Sequence, residues 1–123
     1  MQIIISNSSK EPIYEQITNQ IKSSILTGEL QEGTAIPSMR KLAKDLQISV
    51  ITTKRAYDEL EKAGFIYSIV GKGSFIAEQN LEVIREKKLN VIEEQLSTVI
   101  TNSKEIGLSL DDLHQLLNIL YEE

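Results

Sequence analysis

Cationic and hydroxyl-bearing side chains recur at the predicted starts of two neighbouring helices in the middle of the chain. Ser38 and Arg40 open the first helix, and Ser49, Thr52 and Lys54 open the second. A serine at a helix N-cap stands beside backbone N–H groups that attract anions, and a lysine or arginine one turn further on can neutralise phosphates. The chemistry that these residue types support is the binding of a phosphate backbone.

Two β-branched apolar residues, Val50 and Ile51, follow Ser49 on the side of the second helix that its spacing predicts to face outward. Such residues are unusual on a plain solvated face. The major groove of DNA presents thymine methyl groups beside its hydrogen-bonding base edges, so apolar side chains can make contacts there. Thr52 can bond to bases or phosphate, and Arg55 adds a cation next to Lys54.

The spacing of apolar residues predicts the helices that position these side chains. The helix nearest the N-terminus begins after Pro12 and ends at Gly28, with isoleucine at every fourth position from 13 to 25. Further helices are predicted over residues 39–46 and about 50–63, joined by a very short connection at residues 47–48.

A β-hairpin and a short N-terminal strand complete the predicted front half of the chain. The runs 65–70 and 74–76 are rich in aromatic and β-branched residues and flank Gly71-Lys72-Gly73, where the glycines allow a tight turn. Lys72 is therefore expected at the hairpin tip. Residues 3–5, three consecutive isoleucines, are predicted to form a strand, and residues 30–36 a polar loop.

A tail of two helices follows. Helical spacing continues for about 25 residues from Asn80 until Gly107, and Ser109 with Asp112 matches the capping box of a second helix. The two helices carry more apolar surface than they can bury alone, so we expect the surplus to lie against a second copy of the chain. The residues assigned to this dimer interface are Leu81, Ile84, Ile92, Leu96, Val99, Ile100, Leu113, Leu116, Leu117 and Leu120.

Charge is distributed unevenly along a chain of net charge −5. Residues 1–77 hold nine Lys or Arg against eight Asp or Glu, a net charge of +1, whereas residues 78–123 hold four against ten, a net charge of −6. Phosphate binding depends on the local placement of cations rather than on total charge. The front half can therefore bind nucleic acid while the acidic tail is repelled by it.

Composition argues against several classes of function. The chain has no cysteine, one histidine (His114), no glycine-rich nucleotide loop and no paired carboxylates in a recognisable cleft. We therefore predict neither an enzyme nor a metal or cofactor site. No window approaches the roughly 18 apolar residues of a membrane span. A cytoplasmic protein without a membrane partner is expected.

Helix, tight turn, helix and hairpin, in this order, predict a winged helix-turn-helix. The expected fold is mainly α with a small β-hairpin: a DNA-binding domain at 1–77 and a two-helix dimerisation tail at 78–123. The recognition helix, about 49–63, would enter the major groove and the wing at 71–73 the adjacent minor groove. The predicted DNA-binding residues are Ser38, Arg40, Ser49, Val50, Ile51, Thr52, Lys54, Arg55, Gly71, Lys72 and Gly73.

Four ordered blocks resemble the GntR family of bacterial transcription regulators. They are PIYEQITNQIKSSILTGEL at 12–30, IPSMRKLAKDLQIS at 36–49, TTKRAYDELEKAGFI at 52–66 and GKGSFIA at 71–77. The short tail of two helices resembles the YtrA-type subfamily, which lacks the large effector or aminotransferase domain of its relatives.

The resemblance implies a homodimeric repressor that binds double-stranded DNA at an inverted-repeat operator. Many relatives have an arginine able to read guanine where Val50 stands, so the family's base preference does not carry over at that position. Any small-molecule effector would bind between subunits or between the tail and the DNA-binding half, since two helices leave little room for a pocket. The family's contact positions fall on Arg40, Ser49, Val50, Ile51, Thr52, Lys54 and Gly71.

A second class of function uses the same residues. In a protein-interaction module the winged helix would be a scaffold, Val50 and Ile51 would contact a protein partner, and the apolar tail would be the docking surface. Salt dependence separates the two classes, because DNA binding weakens steeply as salt is raised.

Overall fold

The computed structural model describes all residues from Met1 to Glu123. Five helices and a three-stranded antiparallel sheet form two units, Met1–Asn80 and Leu81–Glu123. The predicted fold class, mainly α with a small β-hairpin, is confirmed. The elements in chain order are α1 (Ile13–Leu26), β1 (Ala35–Ile36), α2 (Met39–Leu46), α3 (Val50–Lys62), β2 (Ile66–Ile69), β3 (Gly73–Ile76), α4 (Leu81–Glu105) and α5 (Leu110–Tyr121).

Helix α1 supplies one side of the core of the first unit. Its isoleucines at 17, 21 and 25 are buried because a four-residue spacing keeps them on one face of the helix. That face packs against α3, whose Ala56 and Leu60 are fully buried. The helix ends at Leu26, and Gly28 takes the left-handed backbone (φ +83°) that follows many helix ends.

Helices α2 and α3 form the helix-turn-helix, and both begin with a serine cap. The Ser38 hydroxyl accepts a hydrogen bond from the backbone N–H of Lys41 at 3.1 Å, and Ser49 accepts one from Thr52 at 3.0 Å. The turn between the helices is made by Gln47, which has a left-handed backbone (φ 56°) without being a glycine. The short connection and the two caps agree with the sequence prediction.

The sheet includes a strand that the sequence pattern does not indicate. β3 pairs antiparallel with β2 in the predicted hairpin, and on its other edge with β1, where Ala35 opposes Phe75 and Ile36 opposes Ser74. The prediction of a loop over residues 30–36 is therefore wrong at its last two residues. Two residues are too few to show the alternation that marks a strand, and their partner lies about 40 positions away in the sequence.

Residues 3–5 do not form the strand that their composition predicts. Their extended segment is bound to α1 instead, because the side-chain amide of Gln20 bonds to both the N–H (2.9 Å) and the carbonyl (2.7 Å) of Ile4. Ile3 and Ile5 pack against the core. A glutamine side chain thus satisfies the backbone groups that a neighbouring strand would otherwise pair.

The second unit consists of α4 and α5, joined by a turn at Gly107 (φ +76°). The predicted capping box at α5 is present: Ser109 accepts from the Asp112 N–H at 3.1 Å, and the Asp112 carboxylate accepts from the Ser109 N–H at 3.0 Å. The two helices do not pack along each other, so their apolar side chains are largely uncovered. None of the helices is long and apolar enough to cross a membrane.

Candidate nucleic-acid interface

The start of α3 presents an uncovered apolar surface. Ile51 is 82% exposed and Val50 is 41% exposed, whereas Thr53 and Tyr57, on the opposite side of the helix, are buried in the core. The helical period explains the division, since burying one face of α3 leaves the residues between its core positions outward. Any burial of these two side chains therefore has to come from outside the unit.

Tyr57 fixes the position of α3 relative to α2. Its hydroxyl donates a 2.6 Å hydrogen bond to the carbonyl of Pro37, two residues before α2 begins. Burial raises the pKa of this hydroxyl well above its ordinary value, because the phenolate would lose its hydration. Thr53 bonds to the Ser49 carbonyl at 3.2 Å. These contacts hold the exposed start of α3 on a rigid support.

The cations around this surface differ in how they are held. Lys54 forms an exposed ion pair with Asp58 at 2.7 Å, one helical turn away, and the Arg55 guanidinium lies 3.9 Å from the centre of the Tyr14 ring on α1. Arg40 and Lys72 are exposed and lie outside both ion pairs of the chain, Lys54–Asp58 and Lys41–Asp45. Arg40 and Lys72 are therefore available to an external anion without first breaking a contact.

The wing between β2 and β3 ends in a tight turn. The Lys72 N–H bonds to the Ile69 carbonyl at 2.9 Å, and Gly71 and Gly73 have φ values of +80° and +107° that other residues rarely adopt. Val70 belongs to this turn rather than to the predicted run 65–70 of the hairpin, and its side chain is completely exposed. The sequence signal that could have added Val70 to the candidate surface is its position directly before the Gly71-Lys72-Gly73 turn.

All eleven predicted DNA-binding residues lie in the first unit, and none is buried. The structure brings two of them into direct contact, since the hydroxyls of Ser49 and Thr52 are 2.9 Å apart. Arg55 lies over α1 rather than beside Lys54. Of the ten predicted dimer residues in the tail, eight are exposed, and Ile84 and Leu113 are partly covered.

A helix-turn-helix with an exposed, capped second helix, followed by a glycine-bounded wing, defines a winged helix-turn-helix regulator that binds DNA. Residues 13–76 match the family described as bacterial regulatory proteins, gntR family, and the chain belongs to that family. The resemblance predicted from the four sequence blocks is thereby confirmed.

Similar proteins and structures span different shares of the chain. The HTH-type transcriptional repressor YtrA of Bacillus subtilis is 37% identical over 92% of this chain and 87% of its own length. A structure named a transcriptional antiterminator, from Listeria monocytogenes, has a TM-score of 0.72 and 34% identity, and the match covers 100% of this chain and 91% of that one. The AraR DNA-binding domain in complex with operator ORX1 has a TM-score of 0.55 and 26% identity over 63% of this chain and 96% of that one.

Proposed function

We propose that the chain is a homodimeric repressor that binds an inverted-repeat operator, with α3 in the major groove and the wing at residues 71–73 on the adjacent minor groove. The observation that carries this proposal is the exposure of Val50 and Ile51 at the capped start of α3. The AraR domain, whose fold is similar, was solved with operator DNA, which supports the same use of this unit.

Within the major groove each residue has a distinct role. Val50 and Ile51 contact thymine methyl groups, and Thr52 bonds to a base edge or a phosphate oxygen. Ser49 and its neighbouring N–H groups hold a phosphate at the helix start, as Ser38 does at the start of α2. Lys54 reaches a phosphate by leaving Asp58, which costs little because exposed ion pairs contribute at most about 1 kcal/mol.

Further cations fix the register of the duplex. Arg40, which lies on α2, binds a phosphate. Arg55 can bind a phosphate through the N–H edge of its guanidinium while the face of the guanidinium stays on the Tyr14 ring. At the wing, Lys72 contacts the minor groove or its phosphates, Gly71 and Gly73 allow close approach of the backbone, and Val70 packs on the groove walls.

Dimerisation through the tail brings in a second copy of this DNA-binding surface. Leu96, Val99 and Ile100 on α4 are each roughly half exposed, and Leu116 and Leu117 on α5 are equally uncovered. A monomer in water would leave this apolar surface unpaired along two whole helices, and burial against a second tail removes it from water. Two recognition helices related by a two-fold axis then match an inverted repeat.

The proposed role is regulatory rather than catalytic, because the matched family and the 37% identical relative are transcription regulators. Repression is inferred from the name of that relative. An operator on bacterial DNA is met in the cytoplasm, and we place the protein there.

The experiment is a binding titration of the full chain on the DNA upstream of its own coding region, at several salt concentrations. The affinity of the wild type should fall steeply as salt rises. Arg40→Ala combined with Lys54→Ala should abolish DNA binding without changing the circular dichroism spectrum. Lys62→Ala, at the far end of α3, is the control for loss of a lysine and should bind like the wild type.

The protein-interaction alternative gives the opposite result. If the wild type shows no salt-dependent binding, or if the double variant binds as well as the wild type, the assignment of α3 to DNA is wrong.

A further inference from the structure

The segment before α1 is held in place by side chains that have no other partner. Gln16, almost completely buried, bonds through its amide to the N–H (2.8 Å) and the carbonyl (3.0 Å) of Ser6, and also to the Glu11 carbonyl at 2.9 Å. Gln20 holds Ile4 in the same two-sided way. Two glutamines of α1 thus fix an irregular segment whose residues 7–10 remain exposed.

The fixed segment forms one wall of a cleft at the start of α3. The cleft has a volume of about 400 Å³ and is open to solvent. Its lining includes Asn7 from the segment and Ser49 and Thr52 from the start of α3, together with the apolar side chains of Ile5 and Ile13. The cleft therefore joins the proposed major-groove surface to a part of the chain that has no assigned role.

The free polar groups of the segment suit a phosphodiester. The Asn7 amide and the Lys10 ammonium make no hydrogen bond or ion pair within the protein, whereas Ser8 bonds to Ser6 and Ser9 accepts from the Glu11 N–H. The carboxylate of Glu11, the residue after Lys10, accepts a hydrogen bond from the side-chain amide of Asn19 at 3.1 Å and forms no ion pair with Lys10. An amide and a lysine without a partner in the protein are typical contacts to DNA phosphates.

We propose that residues 7–10 are a second DNA-contacting element, in which Asn7 and Lys10 bind phosphate oxygens of the strand that passes over the cleft beside α3. This inference rests on the proposed function, because the same duplex must lie against the start of α3. Phosphate contacts set the position of a protein on DNA and carry no base sequence directly. The element therefore adds affinity and fixes register without changing the preferred operator.

The test uses the full chain with Asn7→Ala and Lys10→Ala, measured by fluorescence anisotropy on an operator fragment and on an unrelated duplex over a range of salt. Lys10→Ala should lower the slope of log affinity against log salt by about one and weaken binding about fivefold near 0.15 M salt. Asn7→Ala should weaken binding by about fivefold, as expected for the loss of one solvent-exposed hydrogen bond. Both effects should be equal on the two duplexes.

Lys62→Ala is the matched control, since it removes one exposed lysine at the far end of α3. If Lys10→Ala has the same slope as the wild type, or if Lys62→Ala lowers the slope as much, the inference is overturned. A changed base preference in either segment variant would also overturn it. If the wild type itself binds neither duplex, the proposed function has failed instead.

Discussion

Gln47 carries a backbone conformation that ordinary side chains avoid. It is the single non-glycine residue of the chain with positive φ, at the turn between α2 and α3. A left-handed conformation costs a non-glycine residue about 1–2 kcal/mol because its Cβ crowds the following carbonyl. The helix-turn-helix therefore stores strain at the point that sets the angle of the recognition helix.

Gln47→Gly should stabilise the protein by about 1 kcal/mol, since glycine adopts this conformation freely but loses more entropy on folding. Thermal unfolding followed by circular dichroism measures the change as a rise in Tm. Gln47→Ala is the control, because it removes the same side chain and keeps the Cβ. A glycine variant no more stable than the alanine variant would show that the turn is not strained.

The pKa of Asp112 reports the capping box of α5. Hydrogen bonds from the Ser109 backbone and side chain lower it below the ordinary value for aspartate, near 4. Because the pKa is lower in the folded state, the carboxylate stabilises the fold at pH values above its pKa in the unfolded chain. This contribution is lost as the pH falls through the pKa of the folded state. The start of α5 should therefore fray more in acid than at neutral pH.

Carboxyl NMR of the wild type and of Ser109→Ala tests this. Because Ser109→Ala removes the hydroxyl that caps the helix, the pKa of Asp112 should move up toward its ordinary value in the variant. An unchanged pKa in the variant would mean that the serine side chain does not act on the carboxylate.

At the scale of elements, the hydrogen bond from Tyr57 to the Pro37 carbonyl joins α3 to the start of α2 across 20 residues of sequence. Tyr57→Phe keeps the ring in the core but leaves the carbonyl without this donor. We expect a loss of about 1–2 kcal/mol in the free energy of unfolding. Chemical denaturation measures it, with Tyr67→Phe on the exposed wing as a control expected to change little. Equal stability of wild type and Tyr57→Phe would contradict this role.

Elements with long, regular patterns were predictable and short or unusual ones were not. The periods of α1, α2 and α3 and the glycines of the wing follow from local chemistry, so the sequence predicts these elements and places their boundaries close to the observed ones. β1 is defined by pairing with β3 in a distant part of the chain, which two residues cannot signal. Residues 3–5 have strand composition, but the backbone of Ile4 bonds to the Gln20 amide instead of to a neighbouring strand.

The candidate site likewise has features that the sequence predicts and features that it does not. The caps, the exposed pair Val50 and Ile51 and the wing glycines follow from helix period and turn chemistry. The placement of Arg55 over Tyr14 and the cleft beside Asn7 depend on how separate segments pack together. Sequence spacing within one segment contains no information on such contacts.

At the scale of the whole molecule, the proposed homodimer depends on the apolar faces of α4 and α5. Leu96→Glu would place a charge in the interface, and an unpaired buried charge costs about 3–5 kcal/mol, equivalent to more than a hundredfold in the dimer dissociation constant. Analytical ultracentrifugation at micromolar concentration should find a dimer for the wild type and a monomer for the variant.

Asn90→Glu adds the same charge at an exposed polar position of α4 outside the predicted interface and should remain a dimer. A monomeric wild type would remove the tail from the proposed mechanism. Dimerisation that survives Leu96→Glu would place the interface elsewhere.

The central claim is that each dimer binds DNA through two copies of the start of α3 and of the wing. Selection of bound fragments from random DNA tests this claim most directly. The wild type should enrich sequences with two-fold symmetry whose half-sites lie about one helical turn apart, and the Arg40→Ala, Lys54→Ala variant should enrich none. No enriched sequence with the wild type, or the same sequences with the double variant, would contradict the claim.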